Sequence, residues 1–154
     1  MSDYFDQQLR EDLAEPIAAG QLRVSLDVDH YFGLMKARFP IRSLRPDWQK
    51  MPFRVTEVSE DRHSRTEACR AFFQRRVDEF RLIGDAVYVG DGCTDIAVSD
   101  DLESLLEISE CLFSIPQHHY VLATDQSWFM CLMMEGDMGF GFFRDPGEAL
   151  ERPL

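Results

Sequence analysis

The sequence predicts an α+β domain: an antiparallel sheet with a C-terminal meander, and helices packed against it. Two patterns and one bound predict this. Between Gln117 and Phe143 lie three short aromatic-rich runs, Tyr120 to Ala123, Trp128 to Met134 and Met138 to Phe143, separated by turn residues. From Thr66 to Leu82 the residues Cys69, Phe72, Phe73, Val77 and Phe80 recur at helical spacing. A chain of 154 residues with 45% hydrophobic content is long enough to bury one core without metal or disulfide staples, so a single domain over 1–154 is expected.

The middle run of the meander places the sheet. Strand residues alternate between faces, so Trp128, Met130, Leu132 and Met134 share one face while Phe129, Cys131 and Met133 share the other. Both faces are apolar, which predicts a central strand covered on both sides. In the last run Met138, Phe140 and Phe142 share a face, and Gly139 with Gly141 leaves the opposite face bare, open to a close approach by another element. Asp and Ser between Ala123 and Ser127, and Gly136 between Glu135 and Asp137, suit antiparallel hairpin connections.

Earlier in the chain, Tyr4, Phe5, Leu9 and Leu13 give a short N-terminal helix capped by Ser2 or Asp3, and Pro16 ends it or opens a second turn. Gln21 to Asp27 alternates, with Leu22, Val24 and Leu26 inward, and reads as a half-buried strand. From Tyr31 to Thr56, Pro40, Pro46 and Pro52 predict short edge strands and loops with no long helix, Trp48, Met51 and Phe53 anchoring them to the core. Ser64-Arg-Thr-Glu67 has the form of a capping box opening the Thr66–Leu82 helix, whose wet side is Arg75, Arg76, Asp78 and Glu79 and whose stop is Gly84.

Asp85 to Gly90 and Thr94 to Ser99 read as a hairpin around Gly90-Asp91-Gly92-Cys93. Asp100 and Glu103 then predict the start of a further helix with Leu102, Leu105 and Leu106 inward and Glu103, Glu107 and Glu110 outward. Asp145 to Leu154 is a polar tail with a helical turn at Glu148 to Glu151.

Charge is unevenly distributed. The net charge of −12 divides into −5 over residues 1 to 35, +5 over 36 to 81, and −12 over 82 to 154, so the middle segment has the composition to pair with the acidic remainder. An acidic chain repels nucleic-acid phosphates and favours a basic protein partner, despite the aromatic and basic stretch around Trp48. The contact surface expected for such a partner is Asp91, Asp95, Asp100, Asp101, Glu103 and Glu107, the carboxylates around the hairpin and the adjacent helix start.

No apolar run approaches the ~20 residues needed to cross a bilayer, and MSDYFDQQLRED has neither the basic start nor the apolar stretch of a secretory signal. A cytoplasmic protein with no membrane partner is expected. The four cysteines are widely spaced, without C-x-x-C, and read as reduced thiols.

Chemistry is sparsely marked. There is no Gly-rich phosphate loop, G-x-S-x-G or H-E-x-x-H, so no cofactor or metal is expected. Asp27-Val-Asp29-His30 is similar, over four residues, to the D-x-D strand end of haloacid-dehalogenase-like phosphatases, but the Gly and Thr of that pattern are missing. Adjacent strand positions place His118 and His119 on opposite faces, which keeps them from sharing one metal. Two readings of function stand: a non-enzymatic acidic binding protein, and a small hydrolase or metal-dependent phosphatase-like enzyme using Asp27 and Asp29 or a histidine–cysteine site such as one built on Cys93.

The aromatic, glycine-rich ending, Ser127-Trp-Phe and Glu135-Gly-Asp-Met-Gly-Phe-Gly-Phe, together with small size and acidity, resembles bacterial proteins of the toxin-immunity type. That resemblance covers roughly the last 60 residues. It implies occlusion as the mechanism, with acidic side chains covering the basic, nucleic-acid-binding site of a toxin.

Overall fold

A strand that is apolar on both faces needs cover on both, and the whole architecture answers that need. A computed structural model of the chain describes residues 2–143. The C-terminal meander comprises β7 (His118–Ala123), β8 (Trp128–Leu132) and β9 (Asp137–Phe142). It joins β1 (Arg23–Ser25), β4 (Arg54–Val58), β5 (Asp85–Asp91) and β6 (Ala97–Asp101) in one seven-stranded antiparallel sheet of order β1-β6-β5-β7-β8-β9-β4. β2 (Ile41–Arg42) and β3 (Arg45–Pro46) form a separate small hairpin. The fold is α+β with the meander at its centre, as the residue pattern predicts.

The two faces of β8 belong to two different cores. Trp128, Met130 and Leu132 pack with Tyr88, Phe140 and five helices: α1 (Ser2–Asp12), α2 (Ala14–Ala18), α4 (Arg65–Phe80), α5 (Leu102–Glu107) and α6 (Ser109–Phe113). Phe129, Cys131 and Met133 pack on the other side with Tyr120, Met51, Trp48 and the helix α3 (Val28–Arg38). Each large side chain buried this fully contributes roughly 1.5–3 kcal/mol. Met134, expected on the first of these faces, lies beyond the end of β8 and is exposed.

The bare glycine face of β9 is covered. A Cβ on Gly139 would lie 2.1 Å from the Trp48 ring, and one on Gly141 2.1 Å from Met51 Cε. Trp48 is thereby laid flat on Phe129, with ring centroids 5.1 Å apart and planes 18° from parallel. Tyr120 ties the same layer down by donating its hydroxyl to the Leu44 carbonyl at 2.7 Å.

Several local expectations are corrected. The largest is α3, an 11-residue helix where a proline-punctuated stretch of loops and edge strands was expected. Pro40 lies just past the C-terminal cap residue Phe39, so all three prolines fall beyond the helix and none interrupts it. Asp27 opens it, accepting the His30 amide at 3.2 Å. β1 stops at Ser25, which leaves Leu26 exposed instead of inward.

The capping box at Ser64 does not form. Ser64 makes no side-chain cap, and Glu67 is held by Arg70 at 2.7 Å instead of reaching back. At the other end Arg81, in the left-handed conformation with φ 51°, stops the helix, and Leu82 N–H bonds to the Val77 carbonyl, ahead of Gly84. Arg76, expected on the wet side, is 5% exposed because it lies over β4, between Glu57 and Glu79 and above the Phe72 ring. Asp101, not Asp100, caps α5 by accepting the Ser104 amide at 2.8 Å. The side chains of Ser2 and Asp3 and the tail from Asp145 to Leu154 lie outside the described residues.

The Gly139–Trp48 contact generates a test. Gly139→Ala should destabilise the protein by about 1–3 kcal/mol, because the new methyl displaces the indole from Phe129. Adding Trp48→Ala should remove most of that penalty in urea denaturation, a strongly non-additive pair. Simple additivity would show that the ring does not rest on the glycine.

Candidate functional site

The carboxylates expected to form one surface fall into two groups. In the β5–β6 pairing Asp85 faces Asp101 and Ala86 faces Asp100, whereas Asp91 lies at the far end of β5, opposite His118 of β7. Asp91 and Asp95 therefore stand roughly 15–20 Å along the sheet from Asp100 and Asp101. Asp95 meets the N-terminal helix, its amide donating to Asp6 Oδ1 at 2.8 Å. The grouping around a single hairpin is corrected: the strands that join these residues in sequence hold the two sets apart.

At the second end, Asp100, Asp101, Glu103 and Glu107 lie on the last residues of β6 and along α5. Asp100 Oδ1 accepts the Asp101 amide at 2.7 Å. Hydrogen bonds from Ser104, backbone first and side chain second, hold the Asp101 carboxyl below its usual pKa. Glu103 and Glu107 are exposed and make no hydrogen bond or ion pair among the described residues. The nearby cation Arg23 is engaged by Asp85 at 2.8 Å.

These glutamates border an open groove of about 690 Å³ between the end of α4 and α5, lined by Val77, Leu82, Leu102 and Leu106 with Ile83 and Asp101. Sequence reasoning found the acidic residues of this place but not the groove. Leu106 had a visible inward signal; the exposed Ile83, two residues past the αL cap, had none.

The basic residues do not neutralise this end. Arg75 and Arg76 bind Glu57, Arg76 also binds Glu79, and Arg70 binds Glu67, all within the middle segment that carries the positive charge. Only Arg45–Glu135, at 3.4 Å, joins that segment to the acidic C-terminal portion by a side-chain ion pair among the described residues.

The residues of the enzyme reading are engaged structurally. Asp27 caps α3, and exposed Asp29 sits in its first turn, so the D-x-D pattern marks a helix start. Among the described residues no three His, Cys, Asp or Glu side chains converge as a metal-ligand group. Cys93 Sγ contacts the Pro116 carbonyl at 3.2 Å, and no histidine is its hydrogen-bond partner. Cys69 is buried, and desolvation pushes its thiol up to about 11, away from the reactive thiolate.

His118 and His119 do point to opposite sides. His118 Nδ1 accepts the Met134 amide at 2.9 Å. His119, 5% exposed, lies in a polar network that sequence reasoning missed. Gln117 Nε2 donates to the Tyr88 hydroxyl at 3.0 Å and to Thr94 Oγ1 at 2.9 Å, while its Oε1 accepts the amides of Cys93 and Thr94. Tyr88 Oη lies 2.6 Å from His119 Nδ1, and the Phe113 carbonyl accepts from the same imidazole. The Tyr88 hydroxyl also donates to the Leu112 carbonyl at 3.3 Å, and which of Tyr88 and His119 donates in their contact follows the imidazole tautomer. Gly90 makes the network possible, since a Cβ there would lie 1.9 Å from Gln117 Nε2. The network pins the β5–β6 turn and the end of α6 to β7.

No protein-family model, curated protein or solved structure matches the chain.

Burial, and secondarily the neighbouring His118, lower the His119 pKa to about 3, against the bond to Phe113. The unfolded chain takes up this proton near pH 6.5, so across the interval between 6.5 and 3 the unfolded state binds more protons. The contribution is complete above pH 6.5 and is lost as pH falls toward 3, with a slope of up to about 1.4 kcal/mol per pH unit. His119→Gln should flatten that part of the stability profile measured by urea denaturation from pH 7 to 4. An unchanged slope would show that other groups govern acid sensitivity.

Proposed function

We propose that the chain is a non-enzymatic binding protein that engages a basic protein partner through its acidic end, in the manner of an immunity protein occluding the basic site of a toxin. One observation supports this reading: among the described residues only the Arg45–Glu135 ion pair joins the positive middle segment to the acidic C-terminal portion, and Glu103 and Glu107 of α5 stand exposed without an ion pair. Unpaired, exposed charges of one sign raise the encounter rate with an opposite surface and reject like-charged ones. The phosphates of nucleic acid fall in the second class.

The positions described above refine which residues serve. Asp101 is the cap of α5, so its reversal removes a helix cap as well as a charge. Glu107, past the first turn of α5, is the cleaner reporter of charge-driven contact, whereas Glu103 also favours the helix N-terminus. Asp91 and Asp95, at the opposite end of β5, belong to a second acidic face shared with the N-terminal helix. Occlusion requires only that one such face cover the partner's basic site, without any bond made or broken by this chain.

The test is the association of immobilised protein with a basic partner captured from the source cells. The on-rate should fall about tenfold as salt rises from roughly 0.05 to 0.5 M. Combining Glu103→Lys with Glu107→Lys should slow association further while the fold stays intact by circular dichroism. A partner that binds independently of salt, and equally well to the double reversal, would sink the reading.

A further inference from the structure

The groove between α4 and α5 has a shape that charge alone does not require. Its floor is Val77, Leu82, Leu102 and Leu106. Ile83 stands at the edge, 89% exposed, and the backbone keeps it there. Leu82 N–H is bonded to the Val77 carbonyl on one side of it, and the Gly84 carbonyl accepts the Leu102 amide on the other. A lone exposed isoleucine is ordinary, but this one is continuous with an apolar floor.

The rim supplies the second half of the recognition pattern. Glu103 and Glu107 are four residues apart on α5 and therefore stand on one face of it, one turn apart. Like charges at this spacing disfavour a helix, and neither has a partner among the described residues that would offset the repulsion. A ligand bearing two cations one helical turn apart would relieve it. An apolar floor beside paired carboxylates fits an amphipathic basic helix, whose aliphatic face enters the groove while Lys or Arg meets the rim. Phosphate-rich ligands and anionic lipid are repelled by the same rim.

We propose that this groove receives a basic amphipathic helix of the partner protein, with an aliphatic side chain seated against Leu102, Leu106 and Ile83 and two cations on Glu103 and Glu107. This rests on the acidic-binding function proposed above and adds the site and the shape of what it binds. Specificity then comes from the spacing of one apolar anchor and two cations, and not from net charge.

Backbone amide spectra of the full ¹⁵N-labelled chain, titrated with a synthetic Leu/Lys amphipathic helix, test it. Oligolysine of equal charge and a Leu/Glu helix serve as comparison probes. The Leu/Lys helix should shift Ile83, Glu103 and Glu107 and bind about tenfold more tightly than oligolysine, and the Leu/Glu helix should not bind. Ile83→Ser, a change at an exposed position, should cost about tenfold in affinity for the Leu/Lys helix, with less effect on oligolysine. Shifts centred elsewhere, or an unchanged affinity in Ile83→Ser, would overturn the groove while leaving the acidic-binding function intact. Failure of both cationic probes to bind at low salt would overturn both. Self-association in sedimentation that Ile83→Ser abolishes would also overturn the proposal, because the occupant would then be a second copy.

Discussion

The structure depends on one constraint: β8 presents large apolar side chains on both faces, so neither face of the sheet tolerates water. Five helices cover one side. On the other, a single helix, a small hairpin and the Trp48 to Met51 segment do the same work with far fewer residues. That economy is possible because Gly139 and Gly141 let Trp48 and Met51 lie directly on the backbone of β9. An indole stacked flat on Phe129 covers an area that would otherwise need another helix.

Polar groups inside this fold act as pins. Gln117 bridges the turn residues Cys93 and Thr94 to Tyr88, and Tyr88 with the Phe113 carbonyl fixes His119. A buried histidine beside a tyrosine suggests acid–base chemistry by composition, yet burial keeps this imidazole neutral and its contacts with Tyr88 and Phe113 hold the frame. The network resembles the Asp27 cap in this respect. Residue types suited to catalysis are used here to satisfy backbone and side-chain donors that burial would otherwise leave unpaired.

Charge follows the topology of the sheet. α4 lies over the β9 and β4 edge, where its arginines meet Glu57, and α5 lies over β5 and β6, where acidic residues predominate. The ion pairs of these arginines therefore stay inside the middle segment, which keeps a net charge of +5. Asp101, Glu103 and Glu107 are left exposed beside the groove between α4 and α5.

By itself the sequence determined the α+β class, the meander with its turns, the two-faced character of β8 and the close approach at Gly139 and Gly141, because strand alternation and glycine geometry are local properties. It also determined the charge imbalance. The tertiary structure alone decided what depends on distant neighbours. Arg76 reads as a wet helix position until β4 places Glu57 above it. The helix α3 is hidden because Pro40, just past its C-terminal cap, and Pro46 beyond it look like interruptions when its packing partner is unknown. The expected acidic surface divides because β5 is long enough to hold Asp91 and Asp95 far from Asp100 and Asp101. The groove exists only where the end of α4 meets α5, and no stretch of sequence contains both of its walls.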